Sequence, residues 1–421
     1  AKAFYFAKSG RPGPVLLDIT KDAQVQEFDF YYKRIKSIRS YNPKPTLDKN
    51  QVQQARDMMS RAKKPMLLAG HGILIANARD ELMEFVDKTK IPTAVTLLGK
   101  SVIDEDHPCF VGMLGMHGNY APNKLTNEAD LIIAAGMRFD DRVTGDVTRY
   151  ASNAKIIHID IDKAELNKNV KADLAIHADI KDFLQQILPE QYQTCDSEWR
   201  EEFNRLSEIE KEKVIASECH PENGYLRAGE VISKVSRLTK REAIVVTDVG
   251  QNQMMAARYY GFKNPNTLIT SGGLGTMGFG LPAAVGAQVG RPDQTVVLFT
   301  GDGGFQMTAQ ELGTVVQYKL PVKIIIFNNN FLGMVRQWQN LFNDKRYAQT
   351  TMPTPDFPMM AKSFGIHSKW VREREQLDNA IEEMFAHEGP YLLEVSIEKE
   401  ANVFPMIYPG KAVDEIVLHE E

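Results

Sequence analysis

Twice along this chain, short apolar runs of strand length alternate with stretches whose apolar residues recur at helical spacing. That alternation restricts the fold to parallel sheets covered by helices on both faces. The first block carries Met66 to Ala69, Thr93 to Leu97, Leu131 to Ala135 and Ile156 to Ile161. The second carries Ile244 to Val246, Thr267 to Thr270, Thr295 to Thr300, Lys323 to Phe327 and Leu392 to Ile397. Between them, Ser197 to Glu218 is rich in Glu, Lys and Arg with apolar residues at helical spacing, and reads as a surface helix joining two domains. Residues 1 to 22 read as a helix, a turn and a buried strand, Pro14 to Ile19, so the chain opens as if in the middle of a domain. The expected class is α/β: two doubly wound parallel-sheet domains plus the remnant of a third. The expected division is 1–40 for the remnant and a linker, 41–195 and 221–400 for the two sheets, 196–220 for the joining helix, and 401–421 for an irregular tail lying over the surface or a site.

At 421 residues the chain is too long for one ordinary core. Hydrophobic residues at 43% and charged residues at 25% match a globular protein rather than a disordered one. The formal net charge of −5, with basic residues dispersed, argues against nucleic acid as a partner. No apolar run approaches the ~18 residues that cross a bilayer, which argues against a membrane. Cys109, Cys195 and Cys219 show neither CxxC spacing nor paired histidines, so a reducing, cytoplasmic setting of bacterial type is expected.

The strongest chemical signal is a pair of strand ends, TVVLFTGDGGF and VKIIIFNNNFLG, separated by a helical crossover from Thr308 to Gln317. Consecutive parallel strands are often neighbours, and ligands bind at their carboxyl ends. Asp302 should therefore lie near Asn328 and Asn329, giving hard oxygen donors suited to Mg²⁺. Gly301, Gly303 and Gly304 would let a phosphate approach main-chain N–H groups. Alone, GDG is a common turn and NNN a common loop; at the ends of two buried strands they are hard to attribute to chance. A second cluster, SGGLGTMGFGLPAAVGAQVG, contains Gly273-x-Gly275-x-x-Gly278, a weak dinucleotide fingerprint whose alternative explanation is close helix–sheet packing.

GDG followed by 24 residues, 304 to 327, and then NN resembles the motif of thiamine-diphosphate enzymes. The resemblance implies Mg²⁺ on Asp302, the Asn329 side chain and the backbone carbonyl of Phe331. The Gly-rich cluster is similar to the segment of acetohydroxyacid (acetolactate) synthases that holds the cofactor rings, with Gly275 beside them and Met277 as the wedge that bends the cofactor. Residues 247 to 253, TDVGQNQ, resemble the family's diphosphate loop and carry that role to Val249, Gly250, Gln251 and Asn252, the last standing where the family has His. GMVRQW, Gly333 to Trp338, resembles the segment in which Met334 packs near the cofactor and Trp338 selects the second substrate.

LGMHG (Leu114 to Gly118) and GMRFDDRVTG (Gly136 to Gly145) are similar to the family's FAD-binding middle domain. The resemblance implies FAD contacts at Gly70, His71, Gly72, Thr96, Leu97, Leu98, Met116, His117, Gly118, Gly136, Arg138, Asp140, Asp160, Ile161 and Asp179. Read without it, Arg138, Asp140, Asp141 and Arg142 form a satisfied surface network. With it, Arg142 holds the carboxylate of the second substrate. The implied reaction decarboxylates pyruvate on thiamine diphosphate and passes the two-carbon unit to pyruvate or 2-oxobutanoate, the first common step of branched-chain amino acid biosynthesis. FAD would be structural.

The resemblance also implies a homodimer or homotetramer with its active site at the subunit interface, and a small regulatory subunit. The family's catalytic Glu lies in its first domain and no Glu here matches it, so these residues alone are expected to be inactive. A pyruvate oxidase, a non-catalytic cofactor-binding homologue and a nicotinamide-dinucleotide dehydrogenase rank below this reading.

Overall fold

The computed structural model describes residues 1–420. Among these, two six-stranded, all-parallel sheets organise the chain. The first contains β1 (Pro65–Ala69), β2 (Thr93–Val95), β3 (Phe110–Met113), β4 (Leu131–Ala135), β5 (Lys155–Asp160) and β6 (Leu174–His177), in the order β3-β2-β1-β4-β5-β6. The second contains β7 (Ile244–Thr247), β8 (Leu268–Ile269), β9 (Val296–Gly301), β10 (Lys323–Asn328), β11 (His367–Val371) and β12 (Tyr391–Ser396), in the order β11-β12-β10-β9-β7-β8. Helices cover both faces, so central strands are buried on both sides and read as unbroken apolar runs. β1, β4 and β7 are buried at every position.

Strand order reverses between β1 and β4 in the first sheet and between β7 and β9 in the second. At such points the loops leaving neighbouring strands part and leave a crevice. The loops after β1, β4, β7 and β9 therefore shape the cavities described below.

β3, β6 and β11 have no counterpart among the expected strands, and all three are sheet edges. An edge strand has fewer neighbours to bury it: β11 reads HSKWV with only Val371 buried, while β3 (FVGM) and β6 (LAIH) are four-residue runs buried at half their positions. The strand expected over Thr93 to Leu97 ends at Val95, because the Thr96 side chain accepts from Gly99 N at 3.1 Å and starts a single 3₁₀ turn. The expected buried strand Pro14 to Ile19 does not form. The segment is extended and exposed, with Leu16 at 91%. A strand is stabilised by its hydrogen-bonded ladder, and among the described residues this segment pairs with neither sheet.

The joining helix runs Ser197–Glu210, passes through one π-helical turn at Lys211–Ile215, and ends at Ala216–Cys219. It is more than a surface element: Trp199, Phe203 and Leu206 are buried, and Trp199 Nε1 donates to Pro65 O at 2.9 Å. Its buried Glu210 meets Arg258 from the helix Gln251–Tyr259 of the second domain. Arg258 also donates to the carbonyls of His117 at 3.1 Å and Gly118 at 2.8 Å. Glu210 accepts from Asn119 Nδ2 at 3.0 Å and Tyr120 N at 2.6 Å.

The tail crosses back from the second domain to the first. Ile407 N donates to Met116 O at 2.8 Å, Asp146 N donates to Lys411 O at 3.0 Å, and Ile407, Val413 and Ile416 join the first core. Cys109, Cys195 and Cys219 are buried free thiols, and among the described residues no helix is long and apolar enough to cross a membrane.

Arg258→Met leaves the buried Glu210 carboxylate without its opposite charge, and such losses cost about 3–5 kcal/mol. The single variant should unfold well below the native midpoint, and Arg258→Met with Glu210→Leu should recover most of the loss in thermal or urea unfolding.

Candidate active site between the two sheets

β9 and β10 pair in parallel with Gly301 opposite Phe327, which sets Asp302 beside the turn that leaves β10. Asp302 is 1% exposed. Its carboxylate accepts from Gly303 N at 2.9 Å and Asn330 N at 2.8 Å, while Asn329 Oδ1 accepts from Phe331 N at 3.1 Å. Burial pushes the Asp302 carboxyl up to about 6, against the pull of those N–H groups. Asp302, Asn329 and Phe331 line one cavity of about 250 Å³ together with Val249 to Asn252, Gly275, Met277 and glycines 301, 303 and 304.

This cavity sits at the start of the nine-residue helix Gln251–Tyr259, whose first N–H groups have no intrahelical acceptors and favour an anion. Gly250, with φ +128, makes the turn into it. Asn252 is 7% exposed and its Oδ1 has no hydrogen-bond partner within the chain. A buried carboxylate, an amide oxygen and a carbonyl around one space suit a small hard cation that takes its remaining ligands from phosphate and water. The residues therefore fit a magnesium diphosphate.

Asp248, at the end of β7, was not singled out from sequence and fixes the cradle. Its carboxylate accepts from Val249 N at 2.7 Å, Gly278 N at 3.1 Å and Gly280 N at 2.9 Å. A Cβ on Gly304 would fall 2.4 Å from Asp248 Oδ1, so that glycine is needed for the carboxylate as well as for any ligand. The same contacts dispose of the dinucleotide fingerprint. The Gly280 N–H that opens the helix Gly280–Gly290 is already taken by Asp248, and a Cβ on Gly280 would press on Leu298 Cδ1 at 2.8 Å. Close helix–sheet packing explains that part of the pattern, while Gly275 and Met277 still face the cavity.

A larger cavity of about 990 Å³ opens over the carboxyl ends of β1, β2, β4 and β5. His71, Gly72, Thr96, Leu97, Leu98, Met116, His117, Gly136, Arg138, Asp140, Asp160, Ile161 and Asp179 line it. Gly70 and Gly118 are not part of its lining. A Cβ on Gly70 would lie 2.3 Å from Gly136 O, so this glycine lets two strand ends touch, and Gly118 turns the chain through its N–H to Gly115 O at 2.8 Å. The supposed surface network is loose: Arg138 Nε is 3.4 Å from Asp140 and Arg142 is 3.8 Å from Asp141. Asp140 and Asp179 instead cap short helices through Arg142 N at 3.1 Å and Lys181 N at 2.8 Å. Burial raises Asp160 to about 6 and lowers His117 to about 4, where Arg258 adds to the effect. The volume is enough for a large ligand.

Arg11 also escaped the sequence reading. It pairs with Asp162 at 3.0 Å and Glu165 at 2.8 Å and closes one end of the larger cavity. An arginine in the tight turn Gly10-Arg11-Pro12 was the available signal.

The two cavities meet. Val249, Gly250, Gly275 and Met334 line both, and Trp338 and Arg142, from different domains, face the larger one. Trp338 is half-buried, its ring centroid 5.1 Å from that of Phe342, so it is not a core residue. The Arg142 side chain is 64% exposed and free to turn toward a ligand.

Comparison with known proteins supplies the family. The central domain of thiamine pyrophosphate enzymes matches residues 52–187, and the C-terminal TPP-binding domain matches residues 248–395. The chain is 44% identical to the acetolactate synthase isozyme 2 large subunit of Escherichia coli (strain K12), with 99% of this chain aligned to 74% of that protein. It is 40% identical to the probable acetolactate synthase large subunit of Methanococcus aeolicus, covering 72% of it, and 40% identical to the acetolactate synthase large subunit of the alga Cyanidium caldarium, also covering 72%. A crevice with hard oxygens and free helix N–H groups, opening into a second large cavity, belongs with those matches: the chain is a member of the acetolactate synthase large-subunit family of thiamine pyrophosphate enzymes.

Proposed function

We propose that this chain carries the cofactor-holding and acceptor-selecting residues of an acetolactate synthase that decarboxylates pyruvate and joins the two-carbon unit to a second 2-oxoacid, either pyruvate or 2-oxobutanoate. The observation that carries the reading is the junction at Val249, Gly250, Gly275 and Met334, where the Asp302 cavity opens beside Trp338 and Arg142. When bound, thiamine diphosphate supplies the electron sink that lets a 2-oxoacid lose CO₂.

The chain's own residues hold and orient. Asp302, the Asn329 amide oxygen and the Phe331 carbonyl would hold Mg²⁺, and Val249 to Asn252 would hold the diphosphate. Met277 and Met334 line the Asp302 cavity and would present apolar surface to the cofactor rings, Met277 as the wedge that bends them. Arg142 offers a planar fork for the second substrate's carboxylate. Trp338 presents an indole to that substrate's alkyl end. FAD would occupy the larger cavity between the loops after β1 and β4 in a structural role, with Asp160 placed for a ribose. Pyruvate and 2-oxobutanoate are the partners proposed, in a homodimer or homotetramer with a small regulatory subunit, in the cytoplasm.

The direct test feeds pyruvate plus 2-oxobutanoate to the full-length enzyme with thiamine diphosphate, Mg²⁺ and FAD. Acetohydroxy acids without peroxide are expected; acetate with peroxide would replace this reading with an oxidase. Trp338→Leu should lower the preference for 2-oxobutanoate over pyruvate by about tenfold, as expected for the loss of packing around one methylene. The product ratio measures it.

Mg²⁺ binding should also depend on pH through Asp302. Its carboxyl must ionise to hold the cation, and burial has raised it to about 6. Below that pH protons compete, and affinity should fall by about tenfold per unit. The sign for stability follows. In cation-free protein the neutral acid is favoured, so its contribution is lost as pH rises through about 6, and stabilisation by added Mg²⁺ grows over the same window. Titration calorimetry and thermal unfolding at pH 5 to 8 with and without Mg²⁺ check both.

A further inference from the structure

Glu394 lies on β12 in register with Ile326 of β10 and is 1% exposed. The neighbouring positions of that sheet face, Leu392, Ile324 and Ile326, belong to an apolar core. A carboxyl there costs stability unless its hydrogen bonds do something for the molecule. Its Oε1 accepts from Asn328 Nδ2 at 2.6 Å, and its Oε2 has no partner. Asn328 passes the constraint on: its Oδ1 accepts from Asn330 N and from Asn330 Nδ2, each at 3.1 Å. Thr354 Oγ1 accepts from Asn328 Nδ2 at 3.1 Å and Asn330 Nδ2 at 3.0 Å, closing the network.

Asn330 is the middle of the turn that presents Asn329 and Phe331, and it holds a left-handed φ of +61. Its N–H also reaches the Asp302 carboxylate at 2.8 Å. The amide of Asn328 can face only one way, because its oxygen is needed by Asn330 and its NH₂ by Glu394. Without the acceptor at 394, the Asn328 NH₂ keeps only the longer bond to Thr354, and the brace on the left-handed turn weakens.

We propose that Glu394 is a positioning residue for the cation-binding turn: through Asn328 and Asn330 it fixes the directions of the Asn329 amide oxygen and the Phe331 carbonyl. This deepens the cation reading given above and rests on it. Residues that orient ligands without touching the metal typically change its affinity by about 10–100-fold when removed.

The test uses the full-length enzyme and Mn²⁺ as a spectroscopic probe, counted by electron paramagnetic resonance in the presence of thiamine diphosphate, with thermal unfolding alongside. Glu394→Leu should weaken Mn²⁺ binding about 10–100-fold, whereas Glu394→Gln, whose amide oxygen can still accept from Asn328, should stay within about threefold. Asn328→Ala should match Glu394→Leu and carries the test if the latter does not fold. Asp302→Asn is the control for the site itself. If Asp302→Asn weakens binding while Glu394→Leu and Asn328→Ala leave it native, the positioning role is wrong and the cation site stands. Equal losses in Glu394→Leu and Glu394→Gln would also overturn it, since they would follow burial rather than the hydrogen bond. Native Mn²⁺ affinity in Asp302→Asn would remove the cation site and this inference with it.

Discussion

A buried ion pair holds the two halves of this molecule in register. The side chains of Arg258 and Glu210 are 1% and 2% exposed, one on the helix that opens the smaller cavity and the other on the helix that joins the domains. Two charges withdrawn from water persist only where further polar groups surround them. Here the carbonyls of His117 and Gly118 and the donors of Asn119 and Tyr120 do so. One end of the Gln251–Tyr259 helix thus faces the smaller cavity while the other grips the loop that carries His117 into the larger one. The crevice between the sheets owes its shape to this strut and to the returning tail, which adds Ile407 and Val413 to the first core.

The second constraint is the demand for satisfied backbone groups at strand ends. Asp248 gathers three N–H groups from two loops, and Asp302 takes the N–H groups of Gly303 and Asn330. Each carboxylate replaces hydrogen bonds that regular structure would otherwise provide, which leaves the neighbouring loops free to form concave surfaces. Glycines follow from these carboxylates. Gly304 and Gly280 sit where any side chain would strike Asp248 or the strand beneath it.

Much of this was legible in the chain. Central strands such as β1, β4, β9 and β10 are buried on both faces, so their apolar runs stand out, and the residues that follow them inherit a position at the sheet's carboxyl edge. Asp302 and Asn329 were read from that position, whereas Val249 to Asn252 and the loops after β1 and β4 were named through the family resemblance of their motifs. Edge strands β3, β6 and β11 did not stand out: β11 is polar and mostly exposed, and β3 and β6 are only four residues long. Pro14 to Ile19 misled in the opposite sense, being apolar enough for a strand but without a ladder among the described residues. Asp248, Arg258 and Glu394 gave no signal because their partners lie far along the chain. Asp248 meets residues 30 and 32 positions away, Arg258 meets Glu210 at 48, and Glu394 meets Asn328 at 66.

Local periodicity and strand-end motifs by themselves determined the two α/β units, the joining helix and the chemistry of the hard-oxygen site, because those depend on residues close in sequence. Only the tertiary structure decided that two cavities share Val249, Gly250, Gly275 and Met334, that Arg142 and Trp338 face one space, and that Gly70 and Gly118 serve packing rather than lining. Such facts depend on the angle between two sheets. That angle is set by a few buried contacts between distant residues, and no window of sequence contains both partners.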